Sequence, residues 1–517
     1  MKKVYLYITV FFSGMTALAV ELSASRLIGN VYGSSNLVWA SVIGLILIYL
    51  TLGYWLGGKY ADRCPTYHAF YRILMWASMT VALVPMVSRP ILRVTANALD
   101  QLQVPMIAGA FVTILLLFAV PVTLIGMVSP FALKLALKDA QSAGKTAGKL
   151  SAISTLGSFL GTFLPVLVLV PLIGTYRTFL FFSSLLMLIG SIGFFVYVGM
   201  KPWLRHAWMP VVLILLWVFG TRGVDKATEN MIYEAESAYN YIQVVEQGDY
   251  RYLRLNDGQG MHSVYHPTLL NYFGPWSQAL VAPFFNPAPH PIDSVGKIAI
   301  VGLAAGTTAR QANFVYDEPE IDGFEIDPKI VEVGQRFFEM TQPNLTVFVQ
   351  DGRWGLENRP NRYDIISVDA YRPPYIPWHM TTIEFFQIAY DHLTNDGVLV
   401  INIGRSPLDR ALVNDLGTTI GAIFPTVFVM DLPNSFNSIL FATKQPGSWD
   451  NFLNNYLLLA ETDVHPLLLE AMAMAYNNRQ PAPEKTRIYT DDLAPIEWVS
   501  NKIVLDFVLS GGVGDLK

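Results

Sequence analysis

The chain has 517 residues, 52% of them hydrophobic and only 15% charged, which is too apolar for one ordinary soluble domain and puts part of it in lipid. A net charge of −5 supplies no basic face and excludes a nucleic-acid partner. The single cysteine, Cys64, excludes an intramolecular disulfide and any multi-cysteine metal or cluster site.

The apolar excess comes first. Windows of about 18 or more apolar residues run from Val4 to Ala24, Leu37 to Leu56, Phe70 to Val87, Met106 to Val128, Leu150 to Leu172, Phe179 to Tyr197 and Trp203 to Gly220. They predict a multi-pass helical region over residues 1–222 with about seven spans in a lipid bilayer, the first read as an uncleaved helix and not as a signal peptide. If the spans alternate, Lys2, Lys3, Lys59, Arg63, Arg72, Lys134, Lys138, Lys145, Lys149, Lys201 and Arg205 fall on one side, and Arg26, Arg89, Arg93 and Arg177 on the other. The first set marks the cytoplasmic face. Seven crossings then put the rest of the chain outside the cell; six or eight keep it inside. Glu21 is the costly ionisable residue within a span, with Arg26 near enough to pair. The loop Gly57-Gly58-Lys59-Tyr60-Ala61-Asp62-Arg63 is similar to a short loop of major-facilitator transporters, although a glycine helix end followed by basic anchors produces the same pattern.

From Asp225 onward no such window recurs. Tyr239 to Glu246 and Tyr250 to Leu255 alternate as strands around a Gln-Gly-Asp turn, predicting a small β-rich lead-in over 228–290. Next come Lys297 to Val301 as a strand, a turn holding Gly302 and Gly306, a helix from Thr307, and a strand from Ile321 to Ile326. This is a βαβ unit, whose glycines let a ligand approach the helix N-terminus. Glu325 lies about twenty residues beyond the turn, where a carboxylate can accept from ribose hydroxyls. The strands Leu345 to Val349 and Tyr363 to Val368 also end on carboxylates, Asp351 and Asp369. Ligands in open α/β sheets bind beyond the carboxyl ends of strands, so Glu325, Asp351 and Asp369 are expected to converge on one crevice. The fold class is therefore a helical membrane region followed by an α/β Rossmann-like domain over 291–446. Amphipathic patterns in the extension 447–517 read as packing against the sheet or against a second copy in a homo-oligomer. The eight histidines lack metal-ligand spacing, so no metal is expected.

These segments, in this order, resemble the spermidine synthase (polyamine aminopropyltransferase) family, in its membrane-fused branch. Glu236 to Glu246 is similar to the family's lead-in strand and Val301 to Arg310 to its glycine-rich turn. Phe324-Glu325-Ile326-Asp327 is similar to its ribose-binding strand end, and Asp351-Gly352 to its adenine-contacting pair. Tyr363 to Asp369, followed by Thr381 to Phe386, resembles its catalytic strand and next helix. The resemblance implies a class I methyltransferase-like fold and a role in polyamine biosynthesis. In the implied reaction an amine attacks decarboxylated S-adenosylmethionine, with Asp369 taking the proton. It also implies ligand contacts from Asn240, Tyr265 and His266.

Two departures alter the implied diamine site. Ala305 stands where the family usually carries the aspartate that holds the donor's ammonium. Arg372 stands where a second aspartate anchors the diamine. Two carboxylates lost and one guanidinium gained disfavour a dication such as putrescine, while the nucleoside contacts stay intact. The expected ligands are thus an S-adenosyl co-substrate, decarboxylated or not, with a small amine or nucleoside. Two other classes share the pattern: an S-adenosylmethionine-dependent methyltransferase, and a transporter or sensor with a ligand-binding domain. Ligand logic favours a cytoplasmic domain on a cell-membrane anchor, whereas basic-residue counting with seven spans favours the outside.

Overall fold

A long apolar run satisfies its backbone hydrogen bonds within itself as a helix, and the first part of the chain is helical. The computed structural model describes residues 2–32, 36–102, 106–137, 142–220, 228–256, 260–370, 376–406 and 409–509. Its contacts separate two units, Met1–Thr228 with Ala235–Tyr241, and Glu229–Glu234 with Ile242–Lys517.

The first unit contains α1 (Lys2–Tyr32), α2 (Asn36–Arg63), α3 (Tyr67–Leu102), α4 (Met106–Gly126), α5 (Val128–Ala136), α6 (Ala143–Leu164), α7 (Val170–Ile173), α8 (Thr175–Tyr197), α9 (Met200–Leu204) and α10 (Trp208–Leu215). Among the described residues, 6 helical stretches are long and apolar enough to cross a membrane. The last apolar window of the sequence is divided between the end of α9 and the shorter apolar helix Trp208–Gly220. Where helices cannot gain from excluding water, small residues bring backbones together. A Cβ on Gly157 or Gly161 of α6 would lie 2.0 Å from the carbonyl oxygen of Phe11 or Met15 on α1, so only glycine permits this approach. Large side chains such as Leu47, Trp55, Leu156 and Leu167 face outward.

Arg26 does not pair with Glu21 as its sequence spacing suggested. It lies 3.9 Å from the carboxylate of Glu236 and donates to the carbonyl of Ser237. Glu236 also accepts from Asn30 Nδ2 at 3.4 Å, from the backbone N–H of Thr175 at 3.0 Å and from the Thr175 hydroxyl.

A four-stranded sheet follows along the chain, of β1 (Met231–Glu236), β2 (Tyr241–Gln247), β3 (Tyr250–Leu255) and β4 (Met261–Tyr265), in the order β1-β2-β3-β4, with Ala235–Tyr241 counted in the first unit. β2 starts two residues after the expected Tyr239, because Ser237 to Asn240 close a turn in which the Ser237 hydroxyl accepts from the Asn240 N–H at 2.8 Å.

The larger sheet follows the chain as β5 (Lys297–Val301), α11 (Thr307–Tyr316), β6 (Glu320–Glu325), α12 (Pro328–Phe337), β7 (Leu345–Val349), α13 (Gly352–Glu357), β8 (Tyr363–Val368), α14 (Ile383–Asp391), β9 (Leu393–Gly404), α15 (Ala411–Gly421), β10 (Thr426–Asp431), β11 (Asn437–Thr443), α16 (Trp449–Leu459), α17 (Pro466–Asn477), β12 (Arg479–Gln480) and α18 (Ile496–Leu509). The order is β12-β10-β11-β9-β8-β5-β6-β7. β7, β6, β5, β8 and β9 are mutually parallel, and β11 runs antiparallel between β9 and β10. From β5 the chain winds outward through β6 and β7, then returns to β8 on the other side of β5. That reversal opens a crevice at the carboxyl ends of β5 and β8, where ligands of such sheets bind. Alternate residues of β5 feed separate cores, Ile298 and Ile300 on one face and Ala299 and Val301 on the other, as a strand covered on both faces requires.

Candidate functional site

Each loop at the carboxyl edge of the parallel strands is set by local chemistry. Gly302 and Gly306 have φ of +87° and +83°, a region that glycine enters without strain. Ala304 enters it as well, at +48°. A Cβ on Gly302 would meet the Ala370 N at 2.5 Å and the Asp369 carbonyl carbon at 2.6 Å, so the β5 turn and the end of β8 touch backbone to backbone. Gly352 packs equally closely, its Cβ position lying 2.5 Å from Val301 Cγ1. The turn of β5 therefore sits against both Asp351-Gly352 and Asp369-Ala370.

Glu325 is buried. Its Oε2 accepts from the Ala304 N–H at 2.9 Å and its Oε1 from the Asp327 N–H at 3.0 Å. Burial pushes its carboxyl up to about 7, against the lowering effect of those two N–H groups. Each oxygen keeps a lone pair for another donor.

Asp369, at the end of β8, receives one side-chain hydrogen bond among the described residues, from Asn402 Nδ2 to Oδ1 at 2.9 Å. Burial raises its carboxyl to about 6 and the Asn402 bond lowers it. The orientation of Asn402 is fixed from behind. Its Oδ1 accepts from Asn437 Nδ2 at 2.8 Å, and the Oδ1 of Asn437 accepts from the Ser435 hydroxyl at 2.9 Å. This relay across β11 and β9 leaves Asn402 only its N–H to offer Asp369.

Asp351 caps α13, accepting from the Trp354 N–H at 3.0 Å, and its other oxygen lies 2.9 Å from His379 Nε2. The His379 bond holds this carboxyl below its ordinary range. The next residue but one, Arg353, forms a two-pronged pair with Asp491, both bonds 2.6 Å. Asp491 also accepts from the Thr382 hydroxyl at 2.7 Å. The late Asp491-Asp492 stretch thus reaches the Asp351 loop through a charge-assisted clamp of the geometry that suits guanidinium and carboxylate.

Glu325, Asp351, Gly352, Gly302, Gly306 and Asp369 thus share the carboxyl edge of adjoining strands. Ala305 is buried among Leu253, Tyr265, Ile330, Val333 and Phe338, with its N–H donating to the Ser263 hydroxyl at 2.9 Å. Tyr265 joins that cluster beneath the Arg310 guanidinium, 4.3 Å from the ring centre. His266 spends its Nδ1 on the backbone N–H groups of Thr268 and Leu269, at 3.1 and 2.9 Å, so this nitrogen carries no proton and shapes the loop. Asn240 belongs to the helical unit. Arg372 lies outside the described residues. Among the described residues, no group of three or more His, Cys, Asp or Glu side chains is arranged to hold a metal.

Sequence reasoning passed over Asn402, His379, Arg353 and His262. Asn402 left one trace, a lone amide inside the apolar run Val398 to Ile403. His262 sits at an irregularity where the β3–β4 register shifts. Its Nε2 is buried and has no hydrogen-bond partner among the described residues, and burial lowers its imidazole to about 4.

Residues 289–447 match the family model described as the spermine/spermidine synthase domain. A probable polyamine aminopropyl transferase of Bifidobacterium longum is 32% identical over 285 residues, covering 52% of this chain and 62% of that protein. A polyamine aminopropyltransferase of Vibrio vulnificus is 31% identical over 184 residues, 33% of this chain and 58% of that one. The chain therefore spans about six-tenths of the length of these curated relatives. Among solved structures, a probable spermidine synthase from Corynebacterium glutamicum superposes with a TM-score of 0.40 at 18% identity, covering 50% of this chain and 98% of that one. Residues 289–447 are thus similar to the spermine/spermidine synthase domain, and the curated relatives found over this part of the chain are polyamine aminopropyltransferases.

Proposed function

We propose that the second unit binds an S-adenosyl compound and transfers an aminopropyl group to a small amine, as the names of its relatives suggest. The observation that carries this reading is Asp369: a shielded carboxylate with, among the described residues, a single side-chain donor, at the strand end that adjoins the glycine turn. Glu325 accepts the ribose hydroxyls and the Asp351-Gly352 loop receives the base. The amine nitrogen attacks the carbon next to the sulfonium. The carbon–sulfur bond breaks with its electron pair going to sulfur, methylthioadenosine leaves, and the proton lost from nitrogen goes to Asp369. A sulfonium is already a good leaving group, so alignment and proton removal are what the site contributes. Asn402 acts as a positioning residue, holding Oδ1 so that Oδ2 faces the amine.

Ala305 bears on the donor: its neighbours are apolar, and the carboxylate that would hold the donor's ammonium is missing there. Arg372, in place of the aspartate that would anchor a diamine, favours an acceptor of lower charge than a diamine dication. We read the long apolar helices of the first unit as spans of a multi-pass membrane anchor. Calorimetric titration of the detergent-solubilised chain with S-adenosylmethionine, its decarboxylated form and methylthioadenosine tests the nucleoside reading. Heat from at least one is expected; silence from all three removes it. Product analysis with labelled donor separates aminopropyl from methyl transfer.

A further inference from the structure

The ends of the helical unit are distinguishable by their contacts. At one end, Tyr197 of α8 lies against Tyr5 of α1 and Tyr67 of α3, with ring centres 5.8 and 5.3 Å apart. Arg72 donates to Tyr60 at 2.7 Å, Lys134 lies 2.6 Å from Asp62, and Lys149 covers the Tyr7 ring at 4.6 Å. The start of α1, the end of α2, the start of α3, the start of α6 and the end of α8 therefore meet, and they bring the lysine-rich loops together. At the other end, Arg89 covers the ring of Tyr176 at 4.5 Å, and Arg26 and Asn30 of α1 lie beside Thr175 through Glu236.

The segment after α8 travels from the first end toward the second. The His206 ring lies tilted against Phe194 near the end of α8 at 5.2 Å, and Trp208 lies edge-on to Trp76 at 5.9 Å. Further along, Trp217 Nε1–H donates to the hydroxyl of Ser184, midway along α8, at 2.9 Å. Met209, Leu213 and Leu216 are buried in the helical core. The chain is next held by Glu236, on the N–H of Thr175 at the very start of α8. Trp208–Gly220 thus runs antiparallel to α8, and Ala235–Tyr241 is fastened at the opposite end from Lys59, Lys134 and Lys149.

Building on the reading of these helices as membrane spans, we propose that the chain crosses the bilayer seven times, Trp208–Gly220 lying in the last crossing, and that everything after Tyr241 is on the non-cytoplasmic side. The lysine-rich end is cytoplasmic because basic residues in short loops are retained there. Covalent continuity from Glu236 then fixes the side of the Asp369 site. An S-adenosyl donor made in the cytoplasm must be preceded by an export step, and the amine acceptor is drawn from the outer compartment.

Cys64, exposed after α2 and the only cysteine, is a built-in marker of the lysine-rich end. The test is labelling with a membrane-impermeant maleimide in intact cells and in inside-out vesicles. It uses the full chain and, in a Cys64→Ser background, the single-cysteine variants Asp249→Cys and Glu461→Cys, both at exposed positions. Cys64 should label only in inside-out vesicles and the two introduced cysteines only in intact cells. Labelling of all three from one side overturns the odd number of crossings. Labelling of Cys64 alone in intact cells overturns the orientation. Release of the chain by alkaline carbonate sinks the membrane reading itself, which separates that failure from a wrong crossing count.

Discussion

Glu236 in the helical unit and Asp369 in the α/β unit are both carboxylates shielded from water, and they are held in opposite ways. Glu236 is surrounded by donors: a guanidinium, an amide, a backbone N–H and a hydroxyl. A shielded charge met so fully is neutralised where it stands and serves to fasten one segment to another. Among the described residues Asp369 has a single side-chain donor, the Asn402 amide, and its carboxyl is raised to about 6, a proton affinity near the working pH that suits a general base. Among the described residues, the number of donors, not burial, is what distinguishes the two carboxylates.

The comparison breaks most visibly if Asp369 is neutralised. Asp369→Asn should lower amine transfer by about 10²- to 10⁴-fold, the usual weight of a positioned base, with methylthioadenosine binding unchanged by calorimetry. Retained turnover would assign the proton to another group. Glu236→Ala should act on stability alone. Leaving Arg26 without its partner costs on the order of 3 kcal/mol, seen as a lower unfolding temperature in detergent, while nucleoside affinity holds. An unchanged melt would show that the ion pair fastens nothing.

Acidity gives a finer contrast. In the proposed function the ribose hydroxyls bond to the ionised form of Glu325, whose carboxyl is pushed up to about 7 by burial. Ligand binding therefore releases a proton below that pH, and affinity should fall by up to about tenfold per unit as pH drops from 7; a flat affinity from pH 8 to 5 would exclude Glu325 from the contact. As the proposed base, Asp369 would act only when ionised, so the rate should decline as pH falls through about 6. Its raised carboxyl has the matching cost in folding: relative to the unfolded chain, stability is lost as pH rises from about 4 to about 6. The smallest effect is expected from Asn402→Leu. Losing the N–H that favours the carboxylate moves the acid limb of the rate profile upward by roughly one unit. A purely structural Asn402 would lower activity at every pH without moving that limb.

Much of the crevice was legible because its signals are local. Strand ends followed by Glu325, Asp351 and Asp369, and a turn carrying Gly302 and Gly306, can be read from runs of a few residues. Asn402, Asn437 and Ser435 were not, because they reach Asp369 through a sheet order that places β9 and β11 beyond β8, a pairing the chain does not announce. The bidentate partner of Arg353 is Asp491, far along the chain, and no spacing rule links them. His266 shows the converse: a side chain chosen from its place beside Tyr265 is occupied by its own loop.

By itself, the sequence determined the division into an apolar helical part and an α/β part and the carboxylates at the strand ends, because both follow from short-range patterns of apolar and acidic residues. It also supplied a charge asymmetry among the helix loops. Only the tertiary structure decided that Arg26 answers Glu236 rather than Glu21, that Asn402 donates to Asp369, and that Trp208–Gly220 runs back along α8. Those three depend on which distant segments meet, and a pairing between distant segments is settled by packing and by the cost of leaving a shielded charge unmet.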